Sequence, residues 1–147
     1  MKLRFSSIGV KEYGQVFELF KLYLKPIIED AIGWDEDFQK NGFTNRLPLE
    51  SFSWIKVDGN RVGLVCFKTL EDKIHIHLLI IFEAYQKQGF AVLVTEYFKS
   101  LALNNHKHLT LSCFKNNVPA IKLYKKLNFL IESEDKHFFD FSISNFT

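Results

Sequence analysis

The chain has 147 residues, of which 47% are hydrophobic, 24% charged and 16% aromatic, with 16 Phe among them. That composition excludes a disordered or low-complexity polypeptide, and the length suits one domain that buries about two thirds of the surface its unfolded chain exposes. The formal net charge is only +2 and is spread along the sequence, which sets nucleic acid aside as a partner.

Cys66 and Cys113 both stand in apolar, strand-like stretches, where a small buried thiol is the ordinary state. No Cys-x-x-Cys or Cys/His cluster has ligand spacing, so no metal is expected. The first residues, Met1-Lys2-Leu3-Arg4-Phe5-Ser6-Ser7, lack the continuous apolar core of a signal peptide, and no segment has the length of a membrane span. A cytoplasmic protein without a membrane partner is expected.

In chain order, Leu3 and Phe5 mark a short first strand. Over residues 13–28, Val16, Phe17, Leu19, Phe20, Tyr23 and Leu24 recur at helical spacing, which predicts an amphipathic helix that Pro26 ends or kinks. Residues 29–50 are less regular, with Trp34, Phe38 and Phe43 set among Asp, Glu and Asn; a short helix followed by a loop is expected. Ser51-Phe52-Ser53-Trp54-Ile55-Lys56-Val57 alternates like a strand, Asp58-Gly59-Asn60 is turn chemistry, and residues 62–67 return as the hairpin partner. After a turn at Glu71-Asp72-Lys73, residues 74–82 predict the central strand. Its second half is apolar on both faces and is therefore expected to be buried on both.

Gln86-Lys87-Gln88-Gly89-Phe90-Ala91 then carries the chain from that strand into a helix over about residues 89–105, with Phe90, Val94, Tyr97, Phe98 and Leu101 on one face. The first N–H groups of a helix lack intrahelical partners and sit at the positive end of its dipole, so a glycine-containing turn there suits a phosphate or pyrophosphate. A plain strand-to-helix turn has the same local pattern. Residues 109–114 read as the next strand. In Asn117-Val118-Pro119-Ala120-Ile121-Lys122-Leu123-Tyr124-Lys125-Lys126-Leu127-Asn128-Phe129, Asn117 is a good N-cap and Pro119 is allowed in a first turn. Ala120, Leu123, Tyr124 and Leu127 form one stripe. Residues 129–131 and 137–141 close the chain as a hairpin.

The two segments together resemble the GCN5-related N-acetyltransferase (GNAT) family. There, Arg or Gln followed by x-x-Gly-x-Gly or Ala cradles the pyrophosphate of acetyl-CoA, and a later Asn…Ala…Leu-Tyr…Leu-Gly-Phe segment supplies the helix beside the thioester. The motifs cover roughly residues 73–141, and the earlier part agrees by its order of elements. The resemblance implies a single α/β (α+β) domain over residues 1–147 with a mixed, mostly antiparallel central sheet flanked by helices, in the order β-α-α-β-β-β-α-β-α-β-β. It also implies an N-acetyltransferase that moves an acetyl group from acetyl-CoA, as co-substrate, to a primary amine by direct attack in a ternary complex. The amine is a small molecule or a peptide, and family members often pair as homodimers. Two alternatives remain open at this level: an inactive acyl-CoA-binding regulatory domain of the same fold, and an unrelated nucleotide-binding domain.

Acetyl transfer to an amine needs a held donor, a deprotonated amine, a stabilised oxyanion and a proton for the departing thiolate. By resemblance, backbone N–H groups of Gln88, Gly89, Phe90 and Ala91, with Gln86 and Lys87, bind the pyrophosphate. Main-chain groups of Leu79 and Ile81 pair with the pantetheine arm where the central strand bends away from its neighbour, and Asn117 adds a contact. Tyr124 stands where the family places its thiolate-protonating tyrosine, although a core aromatic fills the same stripe. His75 and His77 are alternatives for the general base, and either also suits a packing role on a strand. Cys113 as an acetyl-enzyme nucleophile lacks an activating neighbour. Glu29, Asp30, Asp35, Glu36 and Asp37 with Trp34 form either a docking region for a cationic amine, with Glu29 and Trp34 as substrate contacts, or a solvated helix surface. Lys122, Lys125 and Lys126 either reach the coenzyme's 3′-phosphate or are exposed helix lysines. Three positions depart from the pattern: Gln86 replaces Arg, Ala91 the second glycine, and Asn128, which tolerates left-handed dihedrals, the glycine of Leu-Gly-Phe.

Overall fold

The computed structural model describes residues 1–144. Its elements are β1 (Leu3–Ser7), α1 (Tyr13–Ile32), α2 (Glu36–Arg46), β2 (Phe52–Val57), β3 (Asn60–Thr69), β4 (Lys73–Ile81), α3 (Phe90–Asn104), β5 (His108–Phe114), α4 (Val118–Lys126), β6 (Leu130–Glu134) and β7 (Phe138–Ile143). This is the order read from the sequence. The strands form one sheet, β1-β2-β3-β4-β5-β7-β6, with β4 in the middle. Among the described residues, β4 with β5 is the one parallel pair, and all the others are antiparallel. The fold is the mixed α/β architecture that the resemblance implied.

Local chemistry accounts for most boundaries. Asp58 and Gly59 take φ of 51° and 86°, the positive values a two-residue hairpin turn requires. Asp35 caps α2 by accepting from Phe38 N–H at 3.0 Å. The end of α4 is a Schellman motif: Phe129 N–H donates to Tyr124 O and Asn128 N–H to Lys125 O, with Asn128 at φ 71°. Of the two outcomes expected at Pro26, an end to the helix does not occur. Helix α1 runs on through the proline to Ile32 and stops at Gly33, φ 81°. Pro26 lies on the exposed side of the helix, so water can bond the carbonyl that the missing N–H leaves free.

Two apolar clusters occupy the two faces of the sheet. Val94 and Phe98 of α3, Tyr124 of α4 and Leu127 just after it pack with Ile55, Val65, Ile74 and Ile76 on one face. Val16, Phe17 and Phe43 from α1 and α2 pack with Trp54, Leu64, Leu78 and Ile80 on the other. Strand β4 therefore changes its buried face midway. Its pairing with β3 explains how: Cys66 faces Leu78 but Phe67 faces Ile76, so His77 is an extra residue, a β-bulge. The second half of β4 also differs from the expected burial. Leu78 and Ile80 are buried, whereas Leu79 and Ile81 are half-buried, because the neighbouring strand departs from that side.

Candidate active site

Strands β4 and β5 pair from Lys73↔His108 to Ile76↔Leu111 and then part. β4 continues along β3 to Ile81, while the end of β5 stays with β7. Phe82 N–H donates to Val62 O at 2.9 Å, so Phe82 and, by alternation, Ile80 direct their main-chain groups toward β3. Leu79 and Ile81 direct theirs into the gap. Gln86 Nε2 donates to Ile81 O at 2.9 Å, which engages that carbonyl and draws the Gln86 side chain toward the strand. Among the described residues, no strand pairs with Leu79 on the side away from β3.

A cavity of about 600 Å³ fills the gap. Its wall combines His75 to Leu79 of β4, Leu111 to Phe114 of β5, Asn117, Ala120 and Tyr124 of α4, and residues of α1 and α2. The bulge brings the two histidines together, with ring centroids 4.5 Å apart in an edge-on contact. His75 Nδ1 lies 2.7 Å from Thr110 Oγ1, a buried hydroxyl that holds the ring and leaves Nε2 free for other work. Burial pushes the His75 pKa down, helped by Lys73 and opposed by Asp140. His77, although its residue is exposed, is pushed down to about 4 by loss of hydration, then by His75 and Lys68. Both rings are neutral at pH 7.

Between β4 and α3, outside the lining of the large cavity, Lys87 and Gly89 take φ of 64° and 85°. Gly89 is the residue before α3, and no side chain caps that helix. A Cβ at Gly89 would meet no atom within 4 Å, so the turn is open on that side. A 15-residue helix with an uncapped N-terminus behind an open glycine turn is chemically suited to a diphosphate. Gln88 Nε2 turns back to Ala84 O at 3.3 Å.

A family model described as acetyltransferase (GNAT) family matches residues 14–129. The chain belongs to this family. Solved structures of 15–19% identity share the fold. The PaiA N-acetyltransferase of Thermoplasma acidophilum, in complex with coenzyme A, is 15% identical over 98% of this chain and 99% of that one, with a TM-score of 0.69. An acetyltransferase from Thermus thermophilus is 18% identical over 98% and 97%, at 0.70. The Campylobacter jejuni N-acetyltransferase PseH, in complex with acetyl coenzyme A, is 19% identical over 99% and 100%, at 0.62. No curated protein matches the chain.

In this acetyltransferase Tyr124 is 8% exposed and packs against Phe129 and Phe141, ring centroids 5.6 and 5.8 Å away. Burial, with the Cys113 charge second, pushes its phenol well above the ordinary value. It therefore stays protonated, a donor facing the cavity. Cys113 shares the wall, and burial pushes its thiol up to about 11. The thiol is accordingly protonated at neutral pH, which disfavours it as a nucleophile. Asn117 Oδ1 accepts from Ala120 N–H at 3.4 Å, the expected cap, while its Nδ2 bonds to no described residue. Lys122, Lys125 and Lys126 are exposed.

The acidic segment lies beside the large cavity rather than on its wall. Glu29 lies outside the large cavity, and Trp34 borders a shallower hollow of about 260 Å³. Lys25 Nζ already sits 5.7 Å from the Trp34 ring centre. Glu36 is bonded by Lys21 and by Trp34 Nε1, which pulls its carboxyl below the usual range. Asp30 accepts from Asn116. The large cavity has no carboxylate on its wall. Sequence reasoning passed over Thr110, for which β-pairing gave no local signal, and Arg46, where a glycine four residues earlier inside a helix was the available hint.

Among the described residues, no group of three or more His, Cys, Asp or Glu is arranged to hold a metal. Among the same residues, no helix is long and apolar enough to cross a membrane.

Proposed function

We propose that this acetyltransferase moves an acetyl group from acetyl-CoA to a primary amine by direct attack while both substrates are bound. The observation that carries the reading is the parting of β4 and β5. It opens one cavity onto a protonated phenol, two neutral imidazoles and free main-chain groups.

Acetyl-CoA supplies an acyl carbon activated as a thioester. The N–H groups of Gln88, Gly89, Phe90 and Ala91 hold its diphosphate, with Lys87 adding charge; Leu79 and the Asn117 carboxamide hold its arm. Gln86 supports that site indirectly by fixing Ile81 O. His77, or His75 through Nε2, takes the amine's proton directly or through water; a ring depressed toward pKa 4 is a weak base, but it is neutral and ready at pH 7. Tyr124 donates to the sulfur as it leaves. Two buried free thiols, Cys66 and Cys113, agree with a reducing compartment such as the cytoplasm.

Initial rates of thiol release, with acetyl-CoA and amine varied together, test the mechanism. Intersecting double-reciprocal lines are expected. Parallel lines, the pattern of an acetyl-enzyme, would refute direct attack.

A further inference from the structure

We infer that the accepted amine carries a carboxylate beside an apolar body, and that Arg46 receives the carboxylate. The inference names a substrate class for the site just described and therefore rests on acetyl transfer taking place there.

Charge on the cavity wall is the first argument. Its lining contains no Asp or Glu, and with His75 and His77 neutral at pH 7, Arg46 is its one formally charged side chain. A polycationic acceptor would find no counter-charge on that wall; Asp35 lines the adjoining hollow, which shares Ile32, Phe38 and Gln39 with the cavity, and is engaged there as the cap of α2. Asp140, whose charge reaches His75, already accepts from Ser112 and Ser133, both at 2.7 Å.

The placement of Arg46 is the second. Its guanidinium makes no ion pair with any described residue, and the residue is exposed. The side chain folds back along α2, and Nε donates to Gly42 O at 3.3 Å. A Cβ on residue 42 would stand 2.6 Å from Nη2, so this posture needs a glycine inside a helix, where glycine ordinarily costs about 1 kcal/mol relative to Ala. Gly42 and Arg46 both line the cavity. Helix α2 packs on the face of the sheet opposite α3, which separates this cation from the diphosphate cradle. A planar guanidinium with open donors suits a carboxylate, which it can bind through two parallel hydrogen bonds.

The rim is the third. Ile32 and Phe38 border the same cavity and are 48% and 63% exposed. An acceptor with an aliphatic or aromatic body would cover them. In the reaction the neutral amine forms the N–C bond and the C–S bond breaks; the amine's proton leaves through a histidine, and the thiolate takes one from Tyr124.

The test is thiol release at saturating acetyl-CoA from free L-phenylalanine and L-leucine, against phenethylamine and isoamylamine, which lack only the carboxylate, and against spermidine. The amino acids should show kcat/KM at least tenfold above their decarboxylated partners. Arg46→Gln should bring that ratio close to one by raising the amino-acid KM, and Gly42→Ala, which displaces the guanidinium but keeps its charge, should lower the ratio in the same direction. Faster turnover of a decarboxylated amine or of spermidine, or an unchanged ratio in Arg46→Gln, overturns the inference and leaves acetyl transfer standing. Absence of coenzyme A binding by calorimetry, or of thiol release from every amine, overturns both.

Discussion

Tyr124→Phe isolates one oxygen. The ring stays packed against Phe129 and Phe141, and the hydroxyl bonds to no described group, so stability should change by no more than about 1 kcal/mol. The cost to catalysis can be gauged from the neighbouring thiol. Burial raises Cys113 from an ordinary 9.0 to about 11. A leaving thiolate that met the same surroundings without a donor would be destabilised by about 2.7 kcal/mol, roughly 100-fold in rate. Initial-rate thiol release at pH 7 should therefore show kcat lowered about 100-fold, with the KM for acetyl-CoA within about twofold of the parent. Acetyl thioesters of more acidic thiols should lose less, since their thiolates need the proton less. A kcat within about threefold of the parent, in a variant of unchanged melting temperature, would remove the phenol from the mechanism.

Gly89→Glu places a carboxylate over the start of α3. The protein offers no steric bar, so the fold should survive the left-handed dihedral at a cost of about 1–2 kcal/mol, while the coenzyme A Kd rises more than about 100-fold by calorimetry; ordinary affinity would remove this turn from the donor site. For pH, kcat/KM should follow the amine's own protonation on the acid side, with no further break near 6.5 and a second one only as pH approaches 4, where His77 titrates. A break at about 6.5 would point to an unperturbed base instead. The sign for stability follows from the same shift: the unfolded chain binds the proton first, so the contribution of His77 is complete above about pH 6.5 and fades as pH falls toward 4. Urea midpoints should fall over that window, less steeply in His77→Gln. Gly63→Ala would set a Cβ 2.2 Å from Ile80 O and force β3 from β4, costing about 3 kcal/mol in urea unfolding; unchanged stability would contradict so close an approach.

What the amino-acid order determined alone is what depends on neighbouring residues. The succession of elements, the Asp58-Gly59 hairpin, the Asn117 cap, the open Gly89 turn and the left-handed Asn128 all follow from dihedral limits and local hydrogen bonds. Tertiary structure decided the rest. Strict period two would put Ile74, Ile76, Leu78 and Ile80 on one face, but the bulge at His77, set by register against β3, sends the first pair to α3 and α4 and the second to α1 and α2. The parting of β4 from β5 and the withdrawal of Glu36 into contacts with Lys21 and Trp34 likewise belong to pairings between distant segments. So does the wall that joins Arg46 to Tyr124. A periodic pattern shows which side chains can share a face, but the register between strands, which no single segment encodes, settles which face that is.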